Sequence, residues 1–325
     1  MRMFMRLIII VLIILFPFKS FCWGFYAHKM INEYAVFLLP PEMMVLYKKN
    51  IGFLKSHAID PDKRKSVVKG EASKHFIDID HYGDYPFEKL PHRWSDASIK
   101  FSTDTLRKYG IVPWEIKQAY HGLTESFKTK DLKRILKNSA DIGHYIADAH
   151  VPLHTNSNHN GQLTDQVGIH GFWESRIPEL LSEKNFNFYL GSAKYIEDIN
   201  KFIWERVLES AAAADTVLKM EKQLSDITPG IKKYAFEKRS GKLVKQYSTF
   251  YTIAYNNKLN GMVERRMRQS ISSIASIWMT AWIAAGQPDL NVLAHQDLTA
   301  DDKKEFEQLD AYWKKFNFGR GDNCE

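Results

Sequence analysis

Residues 131–154 read DLKRILKNSADIGHYIADAHVPLH. Leu132, Ile135, Leu136, Ala140, Gly143 and Ala147 recur there at helical spacing, bounded by Asp131 at the start and by Pro152, which cannot continue a helix. Within that helix His144 and Asp148 stand one turn apart, on the face that also carries Leu136, Ala140 and Ala147. Two ionisable side chains on an apolar stripe cannot be buried unpaired without a large penalty. A shared metal ion is the simplest way to satisfy both, and Pro152 lets His154 turn back toward the same centre. A buried His–Asp pair, with His154 exposed in a loop, fits the same pattern.

Working outward, Met267, Ile271, Ile274, Trp278, Ala281 and Ala285 mark a second helix that Gly286 and Pro288 stop. Residues 202–214 mark a third. Strand signals are sparse, and residues 74–79 alternate only weakly. Loops are expected at 59–71, 80–91 and 156–171, where Gly, Pro and Asn gather. The fold class expected is all-α, a multi-helix bundle. One domain is expected over 23–290, softest between 178 and 195. A C-terminal tail follows over 291–325, in which the charge run 301–307 reads as a solvated helix face.

The first 22 residues read as an export signal: Arg2 and Arg6, an apolar run from Leu7 to Phe16, Pro17, then Ser20 and Cys22 at the positions before a cut. The run is shorter than the roughly 20 residues of a membrane helix, and no later stretch qualifies. A retained anchor is the rival reading. Cleavage before Trp23 removes three positive charges, so the balance falls from +7 to +4 (42 Lys+Arg against 38 Asp+Glu). That suits an anionic substrate without arguing for nucleic acid. Cys22 leaves with the leader and Cys324 stands alone, so packing or metal must stabilise an exported chain. A periplasmic or secreted location is expected.

Further ligand-type groups follow at close spacings. Trp23 would offer a free α-amine, with His28 five residues on. Asp60 and His75 lie in HAIDPDK and KHFIDID, and His170 and Glu174 repeat the four-residue spacing in HGFWESRI. Singly, each is as well explained as a cap, a hydrogen-bonding residue or part of an amphipathic surface helix. Together with His144, Asp148 and His154 they make nine groups, about what three zinc ions need. His150, two residues past Asp148, points away on a continuing helix. His57, His81, His92, His121 and His295 fit no motif position.

In order and spacing this pattern resembles the zinc-dependent phospholipase C superfamily, which also contains the single-strand-specific zinc nucleases. Both branches begin the mature chain with a zinc-binding Trp, and both carry a His-x3-Asp-x5-His core followed by His-x3-Glu or His-x3-Asp. The resemblance implies three zinc sites. Asp60, His75, His144 and Asp148 would hold the first, and His154, His170 and Glu174 the second. Trp23 and His28 would hold the third, bridged by Asp148. It also implies phosphodiester hydrolysis: paired ions clamp a phosphoryl group and acidify the attacking water, with Asp60 assisting as the catalytic carboxylate. Asp78 and Asn158 are candidate supports for the ligands, and His159 is a candidate substrate contact.

The branch marks are mixed. His28 close behind Trp23 and the HFID-x-D run resemble the nucleases. Glu174 as last ligand and the whole of Thr124–His154 resemble the phospholipases. The passage 155–168 lacks the Asp-Gly-Gly-Asn element common in nucleases. Two departures from both, Ala147 in place of Gly and Val151 in place of Gln, remove no ligand. The close resemblance spans residues 23–177. Phe25, Tyr26, Tyr82, Tyr85 and Phe172 lie beside ligand segments and would stack on a base, cage a choline head group, or simply pack. The expected function is phospholipase C-like hydrolysis of a phosphoester. Single-strand nuclease stands second, and a non-catalytic binding protein stapled by zinc third.

Overall fold

The structure, a computed structural model, describes residues 24–239 and 242–317. Residues 1–22, expected to be an export signal, Trp23 and Cys324 lie outside the described residues. The chain is predominantly helical and is organised around the Leu132–Ala149 helix. Asp131 caps that helix by accepting the Arg134 amide at 3.0 Å, and Pro152 opens a separate 3-10 turn, Pro152–Thr155. From Ser139 to Ala149 every residue of the helix is buried, so it is a central helix rather than an amphipathic surface one.

Four helices wrap it: Phe25–Ala35, Ile51–His57, Val112–Lys128 and Met262–Ala284. Trp278, fully buried, donates its indole N–H to the Ser139 carbonyl at 3.1 Å, and Tyr47 bonds to the Ser139 hydroxyl at 2.8 Å. The long Ile199–Ile227 helix crosses the far end, where the Ser210 hydroxyl donates to the Ala149 carbonyl at 2.6 Å. Gly143 sets the closest approach. A Cβ there would collide with the Asn32 side-chain amide, which donates to the Ala140 carbonyl at 3.2 Å. This contact lets the Phe25–Ala35 helix lie close enough for His28, one turn before Asn32, to reach the centre.

Several regions differ from the sequence reading. The loop expected at 59–71 begins with the Asp60–Arg64 helix. Tyr234–Arg239 and Lys242–Tyr247 form an antiparallel hairpin, with Tyr234 opposite Tyr247 and Lys238 opposite Leu243. The segment expected to be a tail contains the Ala300–Asn317 helix, which docks on the helix at Asp60–Arg64. Phe306 lies edge-on to Phe53, and Lys63 pairs with Asp310 at 2.8 Å. The weak alternation at 74–79 is no strand, being flanked by the short turns Ala72–Lys74 and Ile79–Tyr82. Among the described residues no helix is long and apolar enough to cross a membrane.

Candidate metal centre

His144 and Asp148 project from the central helix as their spacing requires, with His144 Nε2 3.2 Å from Asp148 Oδ2. His75 joins them, its Nδ1 2.9 Å from Asp148 Oδ2 and 3.0 Å from His144 Nε2. His28 arrives from the Phe25–Ala35 helix, stacked on the His144 ring at 3.9 Å and 3.4 Å from Asp148 Oδ1. Asp148 therefore turns one oxygen toward His75 and His144 and the other toward His28. On the other side, His154 Nε2 and His170 Nε2 lie 3.4 and 3.1 Å from Glu174 Oε2. His154 Nδ1 stands 3.6 Å from Asp148 Oδ1, which links the two sides.

The residues fall into three buried groups whose ligand-type atoms lie within 4.8 Å of one another: His28, His144 and Asp148; Asp62, His75 and His144; His154, His170 and Glu174. The His28–Asp148 and His154–Glu174 separations, both 3.4 Å, exceed a good hydrogen bond. They match the edge of a tetrahedron around an ion with bonds of about 2.1 Å, which is roughly 3.4 Å. Many of these atoms have no hydrogen-bond partner although fully buried. They include both ring nitrogens of His28 and His170, both oxygens of Asp62 and Glu174, Asp148 Oδ1, and the Nε2 atoms of His75 and His154. Such groups cost free energy unless something satisfies them. A divalent cation does so, and a set of N and O donors without thiols suits zinc.

The surroundings aim the ligands. His144 Nδ1 donates to the Ala58 carbonyl at 2.8 Å and His154 Nδ1 to the His75 carbonyl at 2.7 Å, leaving each Nε2 to face the centre. Locally, Phe172–Arg176 is a π-helical turn, and it carries Glu174 beside His170. Pro178 has no N–H for the Glu174 carbonyl four residues earlier, and that carbonyl instead accepts the Gly24 amide at 3.2 Å. Gly24 lies so close to Ser175 that a Cβ would sit 2.7 Å from its hydroxyl. The described chain thus begins against the ligand segment.

Charge is concentrated here. Burial raises the carboxyl pKa of Asp148, but the His144 and His154 rings outweigh it and hold it well below the carboxylate range. Burial similarly opposes, and His170 and His154 overcome, in the lowering of Glu174. Burial lowers His28 and His75, with the His144 ring adding to the effect on each. Burial opposes a charge on His144 as well, yet Asp148 and Asp62 push it up to about 9.

One expected ligand is corrected. Asp60 faces away from the centre, with Oδ2 2.6 Å from His57 Nδ1 and Oδ1 accepting from Lys63 at 2.9 Å. Asp62 takes the inner place, its Oδ1 3.7 Å from His144 Nε2 and 3.8 Å from His75 Nδ1. The two residues are two positions apart on one helical turn, about 200° around the axis, so only one can face inward. This also removes Asp60 as the assisting carboxylate. The Asp60-Pro61-Asp62 repeat was the available signal, and spacing alone does not choose between its carboxylates.

The remaining candidates are placed as follows. Asp78 is pushed up to about 7 by burial and by Asp80, with His154 opposing. Asn158 bonds within its own loop, its Oδ1 accepting the Leu163 amide and its Nδ2 donating to Thr164, so it supports that loop rather than a ligand. His159 lies edge-on to His170 at 6.0 Å. His150 points away, bonded to the Ile146 carbonyl and to Ser273.

No protein-family model matches the chain, and no curated protein matches it. Fold and site together define its class: a predominantly helical protein whose central helix gathers His, Asp and Glu side chains into three buried groups able to hold metal ions.

Proposed function

We propose that this chain is an exported zinc-dependent phosphodiesterase, phospholipase C-like in its substrate, whose leader is cut before Trp23. The observation that carries this reading is the concentration of buried, unpartnered ligand atoms around Asp148 and Glu174. A purely structural His–carboxylate network would satisfy those atoms with hydrogen bonds.

Asp62, His75, His144 and Asp148 would hold one ion, and His154, His170 and Glu174 a second. His28 and Asp148, with Trp23, would hold a third. Zinc supplies positive charge for phosphoryl oxygens and acidifies a water toward neutrality. The chain's own residues position that chemistry. Asp148 couples the groups through its two oxygens, the Ala58 and His75 carbonyls fix the His144 and His154 rings, and burial keeps bulk water from the ligands. Three protein ligands in the Glu174 group leave an open position of the catalytic kind.

Glu174 as last ligand and the character of residues 124–154 favour a phospholipid over a nucleic acid. The test is turnover by the processed, zinc-loaded protein on phosphatidylcholine micelles and on single-stranded DNA side by side. Hydrolysis that EDTA abolishes and zinc restores supports the enzyme, and the preferred substrate selects the branch. Silence on both substrates with zinc bound would leave the metal a structural role.

A further inference from the structure

The hairpin unforeseen in the sequence carries a surface that the metal centre does not use. Because facing residues of an antiparallel pair share a side, Tyr234, Phe236, Lys238, Leu243, Lys245 and Tyr247 lie on one face. Tyr247 anchors that face by stacking on Phe172 at 3.7 Å, beside the Glu174 segment. On the opposite face Glu237 receives both terminal nitrogens of Arg176. Beyond Tyr247 the outer face is open to solvent: Phe236 is 69% exposed and Leu243 68%. Ile231, 90% exposed, and Phe250, 59% exposed, flank the hairpin's base, with Lys232 within 6.0 Å of the Phe250 ring.

Large apolar side chains exposed together mark an interaction site. Here they are interleaved with cations: residues 227–247 contain six Lys and Arg against the single Glu237, which is turned toward Arg176. Lys238 and Lys245 are exposed on the same face as Phe236 and Leu243. Apolar side chains that enter the acyl boundary, surrounded by Lys that meets anionic head groups, match a bilayer interface. A nucleic-acid surface would present stacking aromatics along a basic groove, whereas Ile231 and Leu243 have no stacking plane.

We infer that the Tyr234–Tyr247 hairpin, with Ile231 and Phe250, is a docking surface for anionic phospholipid bilayers. It sits on the element that carries Glu174, so attachment would hold the metal centre at the lipid surface. That use rests on the phosphodiesterase reading; the attachment itself does not.

The experiment is co-sedimentation of the processed, zinc-loaded full chain with vesicles of equimolar phosphatidylcholine and phosphatidylglycerol, and with pure phosphatidylcholine. Wild type should prefer the anionic vesicles. Phe236→Ser with Leu243→Ser should weaken binding about tenfold or more, and Lys238→Glu with Lys245→Glu should remove the preference. Zinc content and melting temperature check that each variant is folded. Independently, a solvatochromic dye on Leu243→Cys in a Cys324→Ser background should shift to the blue on adding anionic vesicles. Absence of sedimentation, unchanged binding by both double variants, or an unshifted dye would overturn the proposal. So would single-stranded DNA binding that the Lys substitutions abolish while vesicle binding stays intact. Normal vesicle binding without phosphodiester turnover would overturn the substrate assignment and leave the docking surface standing.

Discussion

The Leu132–Ala149 helix buries two polar pairs of the same spacing, Asp141 with Tyr145 and His144 with Asp148, and their surroundings treat them oppositely. Arg64 donates to Asp141 at 3.0 Å and to the Tyr145 hydroxyl at 2.8 Å. Lys137 reaches the other Asp141 oxygen at 2.6 Å, and the Tyr145 hydroxyl donates to Glu71. That network closes on itself with its charges opposed. Around His144 and Asp148, by contrast, most ligand atoms are left without hydrogens or acceptors. What separates a structural polar cluster from a ligand site is therefore whether the protein itself completes the bonding, not the residue types or their spacing.

Removing metal should break the comparison most severely. Ions held about 1,000-fold above their dissociation constants contribute roughly 4 kcal/mol each, so EDTA should lower the melting temperature more than any single substitution below. Zinc should restore it. An unchanged melting curve would show that the open cluster is as self-sufficient as the closed one.

Asp148→Asn should come next. It disturbs both groups on its side and leaves His154, His170 and Glu174, so zinc content should fall to about one per chain. Activity should drop by about a thousandfold, some 4 kcal/mol of barrier. Full zinc loading in this variant would refute the bridging role.

Arg64→Met attacks the closed network instead, and should cost about 3–5 kcal/mol of stability by leaving buried carboxylates unpaired. Zinc content should stay at the wild-type value. Burial raises the pKa of Asp141, but Arg64 outweighs it and holds the carboxyl well below its usual range; Glu71 is lowered in the same way. Their contribution is complete above the unfolded pKa values of about 4 and is lost as pH falls through the lower folded ones. The stability gap between wild type and Arg64→Met, measured in EDTA, should therefore narrow as pH falls, starting where the unpaired, burial-raised carboxylates of the variant take up protons and continuing below about pH 4. A gap that widened on acidification would assign it to other groups.

Gly143→Ala should cost about 1–3 kcal/mol by forcing Asn32 away, and should weaken the His28 group before the Glu174 group. Metal occupancy measured per site would reveal the order. The mildest change in metal binding should be Asp60→Asn, about 1–3 kcal/mol of stability with zinc content intact, set against loss of an ion in Asp62→Asn. The reverse pattern would restore Asp60 as the ligand.

Of the candidate site, His144 and Asp148 were legible as a pair at helical spacing on an apolar stripe, while His154, His170 and Glu174 were marked by the resemblance. His144, Asp148, His154, His170 and Glu174 all meet the centre from the positions that the pattern marks. Asp62 was not legible, since its neighbour Asp60 offers the same chemistry and only the orientation of one helical turn decides between them. The hairpin hid because Tyr234–Arg239 and Lys242–Tyr247 are short and carry apolar residues on the exposed side; the Ser240-Gly241 pair between them was the overlooked turn signal. The charge run 301–307 reads as a solvated helix face, and only the structure shows Phe306 and Asp310 of that helix meeting Phe53 and Lys63.

By itself the sequence determined that this chain would be helical, would bury ionisable residues along one helix, and would need partners for them, because periodicity and the cost of burying charge are local properties. Which of those residues receive partners was decided only by tertiary structure. Arg64 completes one pair, whereas in the other Asp148 Oδ1 has no hydrogen-bond partner among the described residues, and that difference depends on elements brought together from distant parts of the chain.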